Sequence, residues 1–235
     1  MMMFTDIRKK KLILENRRPY GMDKENHIKE LNFLDLVYCN LRLSGSEISK
    51  EGIYRICLGE VDPFGTIEDH MKIRRYIYIF ENFFGRFNVH QDIDERLMSR
   101  LYSAIADSDA IYRRDDAPVR HLNYRPLNFR EIPIAMKMLP RWETLALNEL
   151  QNAVKLHNII IKIYPFSKHT EELARNCLLY YMVSKGYPIF DFELQVGEYN
   201  ELIAKWLADE DNDELYRKLE VALILKLQLL LGVTS

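Results

Sequence analysis

The sequence predicts a mainly α-helical protein. Apolar residues recur at three- and four-residue spacing through most of the chain, and breaks such as Ser44-Gly45-Ser46, Asp62-Pro63-Phe64-Gly65 and Gly186-Tyr187-Pro188 separate these stretches. Only one segment, 109–128, alternates as a strand would. With 235 residues, 48% of them hydrophobic and 29% charged, the chain can bury one sizeable core. We expect an N-terminal arm over 1–26 and a single helical domain over 27–235.

Taken in order, residues 1–25 are charged and carry the turn signal Pro19-Tyr20-Gly21, which reads as a loose or docked arm. Ile28, Leu31, Leu34, Val37 and Leu41 then mark a helix over 27–41. Ser49 is placed to cap a short helix that ends at Gly59. A long helix is expected over 66–84, with Ile73, Tyr76, Ile77 and Phe80 facing inward, and another over 92–107. The aromatic residues Tyr76, Phe80, Phe83, Phe84, Tyr180 and Tyr181 fall at core spacing. Segment 109–128 holds Pro118, Pro126 and the alternating Val119, His121 and Asn123, and predicts a small β-hairpin flap. Arg113, Arg114 and Arg120 lie there beside Asp115 and Asp116, as on a solvated hairpin. Helices are expected over 130–145, with Pro140 kinking or ending the first, and over 148–163. One more runs from Thr170 to Ser184, stopped by Gly186 and Pro188. The last two span 197–209 and 213–231.

Charge and composition exclude several functions. The formal net charge is -2, so nothing draws the whole molecule to nucleic acid or to an anionic membrane. No apolar run approaches the roughly 20 residues of a bilayer span. Leu12-Ile13-Leu14 is too short for the core of a signal peptide. Cys39, Cys57 and Cys177 form no CxxC pair and are expected as buried, reduced thiols in a cytoplasmic protein, with no metal site.

One segment carries more information. An apolar helix runs into Tyr164-Pro165-Phe166-Ser167-Lys168-His169-Thr170-Glu171-Glu172-Leu173-Ala174-Arg175, and a second helix follows. This resembles the core of the Fic (Fido-domain) family, whose loop reads HPFxxGNGRxxR between two helices. Family members commonly transfer AMP, or a related phosphate-containing group, from a nucleotide to a protein hydroxyl. Tyr112-Arg113 resembles the family's GxYR at the start of its flap. His157 lies on the preceding helix where many members carry a His. Leu43-Ser44-Gly45-Ser46-Glu47-Ile48-Ser49 resembles the N-terminal segment that bears an inhibitory Glu in the family. Tyr199 to Trp206 fits the helix that follows. The resemblance spans about 31–227 and implies a Fic-like helical bundle with a small β-hairpin flap.

The loop keeps Pro165, Phe166 and Arg175, but the letters that carry the family's chemistry differ. Tyr164 stands at the position of the catalytic His, and Lys168 at that of a metal-binding Asp or Glu. His169-Thr170-Glu171 replaces Gly-Asn-Gly, and Glu172 replaces the first Arg. Ser44, followed by Gly45, stands where the inhibitory Glu would pair with the last Arg. A His titrates near neutrality and suits a general base, whereas a Tyr near pKa 10 stays protonated. Glycines let backbone N–H groups close on phosphates at a helix N-terminus, where Glu171 and Glu172 would instead repel them. Mg²⁺ prefers oxygen ligands, and Lys168 offers none. His169 is expected to face solvent, His157 to be a satisfied core residue, and Arg175 to pair with Glu171 or Glu172. Two functions follow from the resemblance. One is a binding or regulatory module for a protein partner or ligand, without AMP transfer, cofactor or metal. The other is an adenylyltransferase with altered residues that uses ATP and Mg²⁺.

Overall fold

A computed structural model describes residues 2–85, 92–139, 142–144, 147–211 and 213–235. Its helices are α1 (Met2–Asn16), α2 (Met22–Arg42), α3 (Lys50–Cys57), α4 (Ile67–Ile79), α5 (Glu95–Ala106), α6 (Ile132–Met138), α7 (Glu149–Ile163), α8 (Thr170–Ser184), α9 (Val196–Asp209) and α10 (Asp213–Val233).

Side-chain caps set several of the starts. The Gly52 amide donates to Ser49 Oγ (3.1 Å) at α3, as the sequence suggests. Thr66 and Asp69 form a reciprocal capping box at α4, and Asn148 and Gln151 form another at α7. At the end of α8 the Tyr187 amide reaches Met182 O (3.0 Å), and Gly186 takes a left-handed φ of 82° that a β-carbon would strain. The helix expected to reach residue 84 stops at Ile79 and continues as a π-turn over Phe80–Phe84. In the stretch expected as one helix over 130–145, α6 is short, and residues 142–144 are not helical. Pro140 and Leu145 lie outside the described residues.

The hairpin α7–α8 forms the centre. In α8 every residue except Glu171 and Ser184 is buried, so neighbours surround the helix on all sides. Helix α5 packs on α8, and α4 packs on α5 and α2. The N-terminal segment is no loose arm. Helix α1 buries Phe4, Ile7 and Leu14 and packs along α10. The break at Pro19-Tyr20-Gly21 occurs, but α2 begins at Met22 rather than His27. Arg42 at the end of α2 pairs with buried Asp191 in the segment after α8 (2.6 Å). Cys39 and Cys177 are buried thiols; Cys57, at the end of α3, is exposed, against expectation.

Among the described residues no strand forms, which corrects the expected β-hairpin. Segment 109–128 contains one antiparallel bridge, Val119 to Tyr124, around a 3-10 turn over Arg120–Leu122. The physical reason is that side chains take the backbone partners a ladder would use. The Arg113 guanidinium donates to the carbonyls of Asp115 and Leu127. Asp116 accepts from the Phe129 amide (2.8 Å). Pro118 and Pro126 have no N–H to give.

Candidate functional site

The α7–α8 loop is held by its own backbone and by the flap. Tyr164 ends α7 in the left-handed region (φ 50°), and His169 begins α8 in the same region (φ 58°). Each such non-glycine residue costs about 1 kcal/mol. The compensation is local. Thr170 Oγ donates to Phe166 O (2.9 Å) and accepts from Phe166 N (3.2 Å), closing the loop on itself. Phe166 is fully buried, stacked on Tyr102 with ring centroids 3.7 Å apart and tilted against Tyr112 at 5.5 Å. Pro165 O accepts from Arg113 N (3.0 Å), and Tyr164 O accepts from Arg113 Nε (2.8 Å). Arg113 is therefore a buried clamp between flap and loop rather than part of a surface patch. Tyr112 donates to Glu95 on α5.

The side chains at the helix start form two linked groups. In the outer group Glu171 Oε1 accepts from Tyr164 OH (3.0 Å) and from His121 Nε2 of the flap (2.9 Å). Burial, the Glu171 charge and the bond to that carboxylate push the Tyr164 hydroxyl far above the ordinary phenol value. In the inner group Glu172 accepts from Tyr76 OH (2.7 Å) and His169 Nδ1 (3.0 Å). Burial pulls the Glu172 pKa upward. The bond from His169, the Arg175 charge and the Tyr76 bond outweigh it and hold the group below the usual carboxylate value. His169 is thus half-buried and engaged rather than solvent-facing. Lys168 and Ser167 point to solvent.

Arg175 lies deeper, one turn along α8, and is 1% exposed. Its Nε donates to Asn40 Oδ1 (3.1 Å) and its Nη2 to Ser44 Oγ (3.1 Å); the guanidinium sits 5.3 Å from the centre of the Tyr199 ring. Its Nη1 has no hydrogen-bond partner among the described residues. Neither Glu171 nor Glu172 lies within ion-pair distance of it, so the expected pairing is replaced by neutral partners. The juxtaposition of Ser44 with Arg175, implied by the resemblance, does occur, with Gly45 at a φ of 88° beside it. His157 is fully buried on α7. Asn158 Oδ1 accepts from Nδ1 (2.7 Å), which leaves Nε2 to accept from Tyr199 OH (2.6 Å). Burial lowers its pKa to about 4, so it is neutral at pH 7.

The residues singled out in sequence therefore meet at one place, the junction of α7, α8, the flap and the end of α2. Asn40, Tyr76, His121 and Asn176 also belong to it and were not identified. Asn176 Nδ2 donates to Asn40 Oδ1 (3.2 Å) and Tyr76 OH (3.1 Å). The signal that could have found them is a polar side chain at a core position of a helix, as at Asn40 and Asn176. Among the described residues no group of His, Cys, Asp and Glu could hold a metal ion.

No model of a known family matches the chain by sequence, and no curated protein matches it either. Solved structures do match. A Fic-domain-containing signaling protein from Bacteroides thetaiotaomicron aligns over 97% of this chain and 97% of its own, with TM-score 0.82 and 16% identity. Fic-1 from C. elegans aligns over 98% of this chain and 71% of its own, with TM-score 0.73 and 15% identity. A Fic family protein from Desulfovibrio desulfuricans aligns over 95% and 73%, with TM-score 0.68 and 12% identity. At such identities the likeness is one of fold. The chain has the Fic fold, over nearly its whole length.

Proposed function

We propose that this Fic-fold protein has lost AMP transfer and acts as a binding or regulatory module for a protein partner or ligand. The observation that carries this reading is Tyr164. At the position where the resemblance puts a catalytic His, its hydroxyl donates to Glu171 at 3.0 Å and is held far above neutrality. A hydroxyl in that state keeps its proton and cannot serve as a base near neutral pH. Of the other candidate bases, His157 is buried and accepts from Tyr199, and His169 is tied through Nδ1 to Glu172.

A magnesium nucleotide does not suit the donor set. Lys168 stands where a metal carboxylate would be needed, and α8 begins with Glu171 and Glu172, which oppose phosphate charge. The Thr170 hydroxyl is already committed to the loop. A second reading, an adenylyltransferase with altered residues, draws on one feature: Arg175 Nη1 is buried without a partner among the described residues and beside a neutral Ser44. The test separates the two. The full chain is incubated with Mg²⁺ and ATP labelled on the α-phosphate, alone and with a mixture of cellular proteins. No label is expected on any protein. Magnesium-dependent label, on the chain itself or another protein, would establish the second reading.

A further inference from the structure

A different part of the molecule offers a built cavity. Its volume is about 890 Å³, and it lies between α1, α2, α10 and the end of α8. It is at the opposite end of α8 from the loop, about 22 Å away along the helix. Its size falls in the range of small-molecule sites. Leu14, Ile28, Val183, Leu227 and Leu230 give it apolar walls. One of its lining residues, Asn32, is 1% exposed, and its Oδ1 has no hydrogen-bond partner among the described residues. A buried amide oxygen left without a donor costs free energy, so such groups normally find one. An amide oxygen only accepts, so its missing partner is an O–H or N–H.

Charge at the rim adds a second requirement. Lys11, Arg18, Lys29 and Lys185 line it, against Glu15 and Glu25. Lys11 pairs with Glu15 (3.1 Å), Lys29 with Glu25 (3.5 Å), and Lys185 with Glu143 (2.9 Å). Arg18 has no carboxylate partner among the described residues; its guanidinium lies 5.8 Å from the Tyr20 ring. A guanidinium fork suits a carboxylate, sulfonate or phosphate.

We infer that this cavity binds an amphipathic organic anion. Its apolar body would rest on Leu14, Ile28, Leu227 and Leu230, its acidic group on Arg18, and a hydroxyl or N–H donor on Asn32 Oδ1. The site is independent of whether the α7–α8 loop transfers AMP.

Anilinonaphthalene sulfonate (ANS) has all three features and brightens in apolar surroundings, so it is the probe. Titrated into the full chain it should bind at one saturable site. Ile28→Trp, which puts an indole into the apolar wall, should weaken the brightening. Asn32→Leu and Arg18→Gln should each weaken binding roughly tenfold. Phe64→Ser, on an exposed apolar residue elsewhere, should change nothing. Circular dichroism melts show whether each variant folds. Arg18 is exposed, so Arg18→Gln remains decisive if Ile28→Trp or Asn32→Leu does not fold. Absence of saturable binding, binding unchanged by Arg18→Gln, binding unchanged by a folded Ile28→Trp, or binding lost in Phe64→Ser would overturn the inference.

Discussion

His157 is buried between Asn158 and Tyr199, and Asp191 is buried against Arg42. Burial moves the two in opposite senses. The His157 pKa falls from 6.5 to about 4, while burial raises Asp191 from 3.8 to about 6 despite the Arg42 charge. As pH falls below 6.5 the unfolded chain protonates His157 and the folded chain does not. Its stabilisation, present above 6.5, is therefore lost as pH drops towards 4. Asp191 works in reverse: the folded chain keeps a proton that the unfolded chain releases above 3.8. Its stabilisation is present below 3.8 and lost as pH rises through 6. Each effect is worth up to about 3 kcal/mol and they oppose each other. Relative to the parent, His157→Gln should gain stability as pH goes from 6 to 4, and Asp191→Asn should lose it. Urea unfolding at pH 4, 5 and 6 checks this; variants that track the parent at all three would refute it. The sequence makes His157 legible as a core histidine, because its helix is apolar around it. It says nothing of Tyr199 as its partner, or of Tyr76 as that of Glu172, since those contacts join residues 42 and 96 positions apart.

At the scale of elements, the side chains of the α7–α8 loop do structural work, with Thr170 closing the loop on Phe166 and Phe166 stacked on Tyr102. His169 occupies the position at which the resemblance has a glycine, and its left-handed φ of 58° is one that glycine adopts at no cost. Rebuilding the loop as Tyr164→His, Lys168→Asp, His169→Gly, Thr170→Asn, Glu171→Gly and Glu172→Arg should restore nucleotide binding, with transfer weak at best. Tyr164→His alone should give neither. The rebuilt protein should also melt at least ~5 °C lower. Glu172→Arg removes the acceptor of Tyr76 and His169 and adds a second buried cation in the neighbourhood of Arg175, and a buried charge without a partner costs several kcal/mol. Calorimetry with ATP and Mg²⁺, and thermal denaturation, read the two outcomes. A rebuilt protein that folds yet binds nucleotide no better than the parent would show that the loop's path is not that of a phosphate cradle. Helices α3 and α8 were readable from a cap or a stop, and α7 from its apolar spacing, because those signals are local. The flap was not, because Arg113 and Asp116 satisfy its backbone, and alternation in the sequence does not reveal that substitution.

For the whole molecule, the Fic fold persists over 97% of the chain at 16% identity to a solved structure. A fold can persist at such identity because it rests on the pattern of apolar positions more than on particular residues. The enclosure of α8 has a consequence for motion. Amide protons exchange with solvent only when a segment opens, and a helix covered on all sides opens only with the rest of the molecule. The amides of Leu173 to Tyr181 should therefore exchange as slowly as any in the protein, at the rate of global unfolding. Those of exposed Ser167 and Lys168, a few residues earlier, should exchange orders of magnitude faster. Deuterium uptake followed by mass spectrometry would show that step in protection across the start of a single helix. Uniform uptake from 164 to 181 would mean that α8 frays from its first turn. The surface of this loop would then be adaptable rather than fixed.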